Sequence, residues 1–158
     1  MRKYGWIAVV LAVLDQAIKA YVRTIPYGYA FFEMPGLVSL THCVNTGAAF
    51  SLFSGKTLLL ALTSVALLGV IGFYLLRKMN LTKMACISLT CVIGGGVGNL
   101  LDRMLFGGVT DYIRLLFIDF PVFNLADIAI TGAIGVLMIL LITDKLEESS
   151  EDKHGSEY

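Results

Sequence analysis

Long uncharged runs separated by short polar breaks dominate this chain. Residues 57–76 hold 20 positions without a charge between Lys56 and Arg77, and residues 84–101 hold 18 between Lys83 and Asp102. A bilayer core about 30 Å thick takes roughly 20 apolar helical residues, so both runs predict membrane-spanning helices. Residues 128–143 are uncharged, and a start near Asn124 extends them to a third span over 124–143. The first apolar stretch, about 6–22, carries Asp15, Gln16 and Lys19 in its interior. Arg2-Lys3 ahead of it has the charge pattern of a signal peptide, but Asp15 and Lys19 stand where small cleavage-site residues belong, so it reads as a retained span. Four spans are expected within one domain, 1–143.

The connections differ in character. Residues 23–56 form a long segment that starts with Pro26 and Gly28, breaks at Pro35-Gly36 and then carries β-branched Val38, Thr41 and Val44, which predicts a small sheet. Residues 106–122 place aromatic and aliphatic side chains around Asp111, Arg114 and Asp119, the pattern of an amphipathic piece lying at the membrane interface. The acidic, Ser-containing segment 144–158 reads as a disordered tail. Arg2, Lys3, Arg77, Lys78, Lys83, Lys145 and Lys153 flank one side of the four spans, against Arg23, Lys56, Arg103 and Arg114 on the other. By the positive-inside rule both termini are cytoplasmic, and 23–56 and 102–123 are extracytoplasmic.

Composition sharpens this picture. The 158 residues are 57% hydrophobic and 15% charged, with mean hydropathy +0.79, and eight of the charges fall after residue 143. A soluble globular domain carries roughly 25% charge and is excluded. A zero formal net charge without a dense Lys/Arg stretch argues against nucleic acid as a partner. Three cysteines, of which Cys86 and Cys91 lie in an apolar run, form neither a disulfide framework nor a metal-ligand spacing.

Ionisable residues within membrane spans are costly and therefore informative. Asp15 and Lys19 stand four apart on one helix face, either as a structural ion pair or as part of a functional polar interior. Gly94 and Gly98 form a small-xxx-small face for close helix approach, followed by Asn99, Asp102 and Arg103. Phe123-Asn124-Leu125-Ala126-Asp127 has the form of a helix N-cap with an acidic first turn. A cap does not account for Asp111, 16 residues earlier in an apolar stretch that returns to the same membrane edge. Two carboxylates brought together there could activate water, one as base and the other held as acid. Asp102, Asp111, Asp119 and Asp127 could alternatively supply oxygen ligands for a metal-dependent phospholipid transferase. Asp15, Lys19 and Asn99 could instead line a small transporter's polar pathway.

Five ordered motifs narrow these alternatives: Asp15-Gln16-Ala17-Ile18-Lys19; Asn45-Thr46-Gly47-Ala48-Ala49-Phe50-Ser51; Gly94-Gly95-Gly96-Val97-Gly98-Asn99-Leu100-Leu101-Asp102-Arg103; Val109-Thr110-Asp111-Tyr112-Ile113; and Phe123-Asn124-Leu125-Ala126-Asp127. Together they resemble lipoprotein signal peptidase (signal peptidase II), a bacterial aspartyl protease of the cytoplasmic membrane. One position departs from the family: Tyr112 stands where Phe is usual. The resemblance implies a mainly α membrane fold of four transmembrane helices with a small extracytoplasmic β-cradle and an amphipathic extracytoplasmic helix. It also implies cleavage of diacylglyceryl-modified prolipoproteins on the amino side of the lipidated Cys, near the extracytoplasmic face. Asp111 and Asp127 take the catalytic positions, and Asp15, Lys19, Asn45, Asn99, Asp102, Arg103 and Asn124 map to pocket positions. No cofactor or metal is implied. The expected partners are lipid-modified prolipoproteins, membrane phospholipid and globomycin-type inhibitors.

Overall fold

The computed structural model describes residues 3–47, 55–76 and 81–155. Ala48, Ala49, Phe50 and Ser51 of the second motif, and the flanking bases Arg2, Arg77 and Lys78, lie outside them. The element order is α1 (Gly5–Arg23), β1 (Ala30–Met34), β2 (Val38–Asn45), α2 (Thr57–Leu76), α3 (Lys83–Phe106), β3 (Val109–Leu115) and α4 (Leu125–Gly155). Among the described residues three helical segments are long and apolar enough to cross a membrane: Gly5–Arg23, Lys83–Phe106 and Leu125–Thr143.

Burial is inverted relative to a water-soluble domain. Among the described residues twelve polar or charged side chains are buried against seven hydrophobic ones. The polar set includes Asp15, Lys19, Asn99, Asp102, Asp111 and Asn124, whereas Trp6, Val9, Val13, Leu62, Phe73, Ile134 and Ile139 are exposed. An apolar exterior around a hydrogen-bonded polar interior suits lipid as solvent, since lipid offers no partner to a stray donor or acceptor. The chain is a multi-pass membrane protein.

Helix α3 is the hub, and its glycines explain why. A Cβ on Gly94 would lie 2.9 Å from the Ala8 carbonyl oxygen of α1, one on Gly95 2.7 Å from the Ala126 carbonyl oxygen of α4, and one on Gly96 2.8 Å from Leu68 of α2. A Cβ on Gly98 would run into the Asp15 carboxylate. Gly94 and Gly98 therefore do share the face turned to α1, and Gly95 adds a second close contact that the small-xxx-small spacing leaves out. The Thr82 hydroxyl caps the start of α3 by accepting from the Ala85 N–H at 3.2 Å. Gly107, at φ 73°, ends it with its N–H on the Arg103 carbonyl. The helix thus runs five residues past 101, where the uncharged run stops, and carries Asp102 and Arg103 on its last turns.

The three strands form one antiparallel sheet in the order β1-β2-β3. A register shift between Leu40 and Cys43 bends β2, and His42 within it ties down the chain leaving α1: its Nδ1 donates to the Ile25 carbonyl oxygen at 2.6 Å. Residues 106–122 are not a helix. Val109, Thr110, Tyr112 and Ile113 are β-branched or aromatic and form the edge strand β3, followed by bends at 116–118. Among the described residues no amphipathic extracytoplasmic helix is found. At the other end, α4 continues through the segment expected to be disordered as far as Gly155. Lys145, Leu146, Glu147 and Glu148 are good helix formers, and extending an existing helix avoids the cost of nucleating one.

Candidate active site

The last turns of α3, the first turn of α4 and the start of β3 meet at one level of the molecule. Two groups of aspartates gather there. In the first, Lys19 Nζ lies 2.8 Å from Asp15 Oδ2 and 3.7 Å from Asp102 Oδ2, all fully buried. Arg23 Nη1 completes the group at 3.1 Å from Asp102 Oδ1. Gln16 Nε2 donates to Asp102 Oδ1 and to the Gly98 carbonyl, both at 2.9 Å. Asp102 Oδ2 accepts the Thr110 backbone N–H at 2.7 Å, and Arg23 Nη1 also reaches the Thr110 hydroxyl at 3.1 Å. This network pins β3 to α3 one residue before Asp111.

The second group has amides where the first has cations. Asn124 Nδ2 donates to Asp111 Oδ1 at 2.6 Å. The Asn124 backbone N–H donates to Asp127 Oδ2 at 3.2 Å, and the Asp127 N–H returns to Asn124 Oδ1 at 3.0 Å. That exchange is a capping box, so the helix-cap reading is correct, but the cap's amide also holds Asp111 beside Asp127. Asn99 Nδ2 donates to Asp127 Oδ1 at 2.8 Å, while Asn99 Oδ1 accepts from Lys19 Nζ at 2.7 Å and from Asn124 Nδ2 at 3.2 Å. Asn99 thereby couples the two groups. Among the described residues neither Asp111 nor Asp127 forms an ion pair.

Asp111 is buried and Asp127 half-buried. Burial first, and then the neighbouring Asp127 charge, push the Asp111 carboxyl up to about 7, with the Asn124 and Asn45 amides pulling it partly back. Both carboxylates line a cavity of about 540 Å³ that also takes in Asn45, Asn99, Arg103, Phe123 and Ile128. Arg103 donates to the Asn99 and Gly47 carbonyls over 3.4 Å each, long contacts that a ligand could replace. Asn45 ends β2, accepts the Gly47 N–H on Oδ1 at 2.9 Å and borders the same cavity.

Every site residue expected from the sequence therefore falls in one of two linked groups: Asp15, Lys19 and Asp102 in the ion-paired one; Asn45, Asn99, Arg103, Asp111 and Asp127 on the cavity wall, with the buried Asn124 hydrogen-bonded to Asp111. The four aspartates considered as metal ligands do not converge. Asp102 is turned to Lys19 and Arg23, and Asp119 is exposed in the segment that follows β3. Among the described residues no group of three or more His, Cys, Asp or Glu side chains is arranged to hold a metal ion. Sequence reasoning gave no role to Gln16, Arg23, Thr110 or the Tyr112 hydroxyl, which accepts the Leu125 N–H at 3.1 Å. Arg23 was findable, since Asp15, Lys19 and Arg23 repeat every four residues on one helix face.

The signal peptidase (SPase) II family model matches residues 7–143. This chain belongs to that family. Curated relatives named lipoprotein signal peptidase include one from Streptococcus thermophilus, 37% identical over 95% of this chain and 99% of its own. Another, from Streptococcus pneumoniae, is 38% identical over 92% and 98%. A solved bacterial membrane enzyme superposes with TM-score 0.85 at 27% identity, covering 92% of this chain and 90% of its own. As a signal peptidase II the protein is a protease, and the aspartate groups can be read in that light.

Proposed function

We propose that this signal peptidase II removes the signal peptide from diacylglyceryl-modified prolipoproteins by an aspartyl mechanism, with Asp111 and Asp127 as the catalytic pair. The observation that carries the reading is the link through Asn124, which holds two carboxylates on the wall of one cavity with no cation at ion-pair distance among the described residues. Two such groups cannot both ionise readily, so the pair keeps one proton. Burial assigns that proton to Asp111, leaving the more exposed Asp127 as the base.

Asp127 takes a proton from water as the water oxygen bonds to the scissile carbonyl carbon. Asp111 gives its proton to the carbonyl oxygen. Collapse of the tetrahedral intermediate breaks the C–N bond as one of its hydroxyls returns a proton to Asp111 and the leaving nitrogen takes the proton held by Asp127, which restores the singly protonated pair. No covalent intermediate with the enzyme is needed. Arg103 and Asn45, at the cavity wall, suit the substrate's backbone carbonyls or lipid head region.

Two further parts of the reading concern the membrane. Helix α2, uncharged over its 20 residues, is the fourth crossing, with both termini cytoplasmic and the aspartate pair near the extracytoplasmic face of a bacterial cytoplasmic membrane. The apolar exterior is solvated by phospholipid, and globomycin-type inhibitors occupy the cavity at Asp111 and Asp127.

The test is a gel-shift cleavage assay on lipidated and unlipidated precursor, with wild type beside Asp111→Asn. Wild type should cut the lipidated precursor alone, in the presence of a chelator, and Asp111→Asn should cut neither. Cleavage that a chelator abolishes and a divalent cation restores would overturn the mechanism.

A further inference from the structure

A second cavity, of about 770 Å³, opens on the other side of Asp111. It shares Asn45, Asp111, Phe120, Pro121 and Val122 with the helix-side cavity, so the two cavities adjoin, with Asp111 on the wall of both. Their walls differ. The helix-side chamber is built partly from α3 and α4, whereas every residue bordering the second comes from β2, β3 or the segment 116–122. Its ionisable residues besides Asp111 and Cys43 are Arg114 and Asp119, both exposed, and neither forms an ion pair among the described residues. β3 is an edge strand, joined on its outer side by a single bridge between Ile113 and Phe123.

We infer that this sheet-side cavity receives the mature polypeptide that follows the cut, and that Arg114 and Asp119 select among mature N-terminal sequences by charge. The inference rests on the prolipoprotein reading above. A signal peptide is apolar and arrives through the membrane, and the diacylglyceryl group stays in lipid. The mature segment is the one part of such a substrate that must leave the bilayer as polar, extended chain. The sheet-side cavity is the one that leads from Asp111 away from the helices, its edge strand can pair with an extended chain, and its two opposite charges form no ion pair among the described residues. Diacylglyceryl chains fit it poorly, because their burial would strand both charges.

The experiment measures kcat/KM on lipidated precursors that differ only at the second to fourth residues after the cut, made acidic, neutral or basic. Arg114→Glu should move the acidic-to-basic preference toward basic precursors by about three- to tenfold, the size of an exposed attraction exchanged for a repulsion. Asp119→Lys should move it the opposite way. The neutral precursor should stay within about twofold, and charge changes before the cut should not respond. A preference unchanged in both variants overturns the inference. So does an equal change for all three precursors, which would place a lipid headgroup in the cavity. If wild type cuts no lipidated precursor, the peptidase reading itself falls, and this inference with it; cutting without a charge shift removes the inference alone.

Discussion

Two pairs of aspartates lie within one hydrogen-bonded interior, and their surroundings give them opposite characters. Asp15 and Asp102 are fully buried against Lys19 and Arg23, and each also accepts a backbone N–H, from Ala126 at 3.3 Å and Thr110 at 2.7 Å respectively. Their charges are satisfied, and they join α1, α3, α4 and β3. Asp111 and Asp127 meet amides in place of cations and face a cavity. A carboxylate with an ion partner and saturated oxygens holds a fold together; one held only by amides beside another carboxylate is available to move a proton. The residue type is the same in both, and the partner decides the role.

The largest test of this contrast is Lys19→Met. It leaves Asp15 buried without its cation and should cost about 3–5 kcal/mol, the range for breaking a buried pair from one side. Membrane accumulation and thermal unfolding in detergent report it. A Lys19→Met protein that accumulates and unfolds like wild type would mean the ion-paired group is not the structural one.

Gly95→Leu probes the junction between the two groups from outside both. Its side chain would push against the Ala126 carbonyl and Ile130, displacing the helix that carries Asn124 and Asp127. Overpacking of this kind costs about 1–3 kcal/mol, and cleavage should fall with stability. Full activity at reduced stability would show that the carboxylate pair tolerates movement of α4.

For Asp111→Asn the expected sign is reversed. Because folding raises the Asp111 carboxyl to about 7, the folded state binds an extra proton between the ordinary carboxylate range and neutrality. Stability from that proton is present at low pH and lost as pH rises through about 7. The Asn variant has no charge to bury, so at pH 8 it should be more stable than wild type by on the order of a few kcal/mol, read as a higher unfolding temperature. At pH 5 the difference should shrink. A variant less stable than wild type at pH 8 would place Asp111 with the structural aspartates.

The smallest effect belongs to Arg103→Ala. Its two long hydrogen bonds contribute little to the fold, so the protein should insert normally while KM rises about five- to tenfold with kcat within about threefold, the worth of a charge-assisted contact. Failure to accumulate would make Arg103 part of the scaffold.

How much of this was visible in the chain follows from which physical signals are local. Uncharged runs located the helical cores, because lipid exposure demands an apolar surface. They misplaced the end of α3, since Asp102 and Arg103 continue the helix as interior residues. β3 was read as an amphipathic piece because its partner, β2, lies more than 60 residues earlier and short aromatic runs suit either state. At the site, Asp111, Asp127 and their amides came from ordered motifs, and no spacing rule could have shown that Asn124 joins them. Arg23 was counted as a flanking base, yet its place one turn beyond Lys19 already put it on the face of Asp15.

The pH dependence of kcat on a lipidated precursor, measured with a chelator present, tests the central claim most directly. A pair that works with one proton should give a maximum, falling on the alkaline side as pH rises through about 7, where Asp111 loses its proton, and on the acid side as the pair takes up a second one. Asp127→Asn should abolish turnover at every pH. Turnover that stays constant from about pH 6 to pH 9, or that survives in Asp127→Asn, would contradict a proton shared between Asp111 and Asp127 as the source of catalysis.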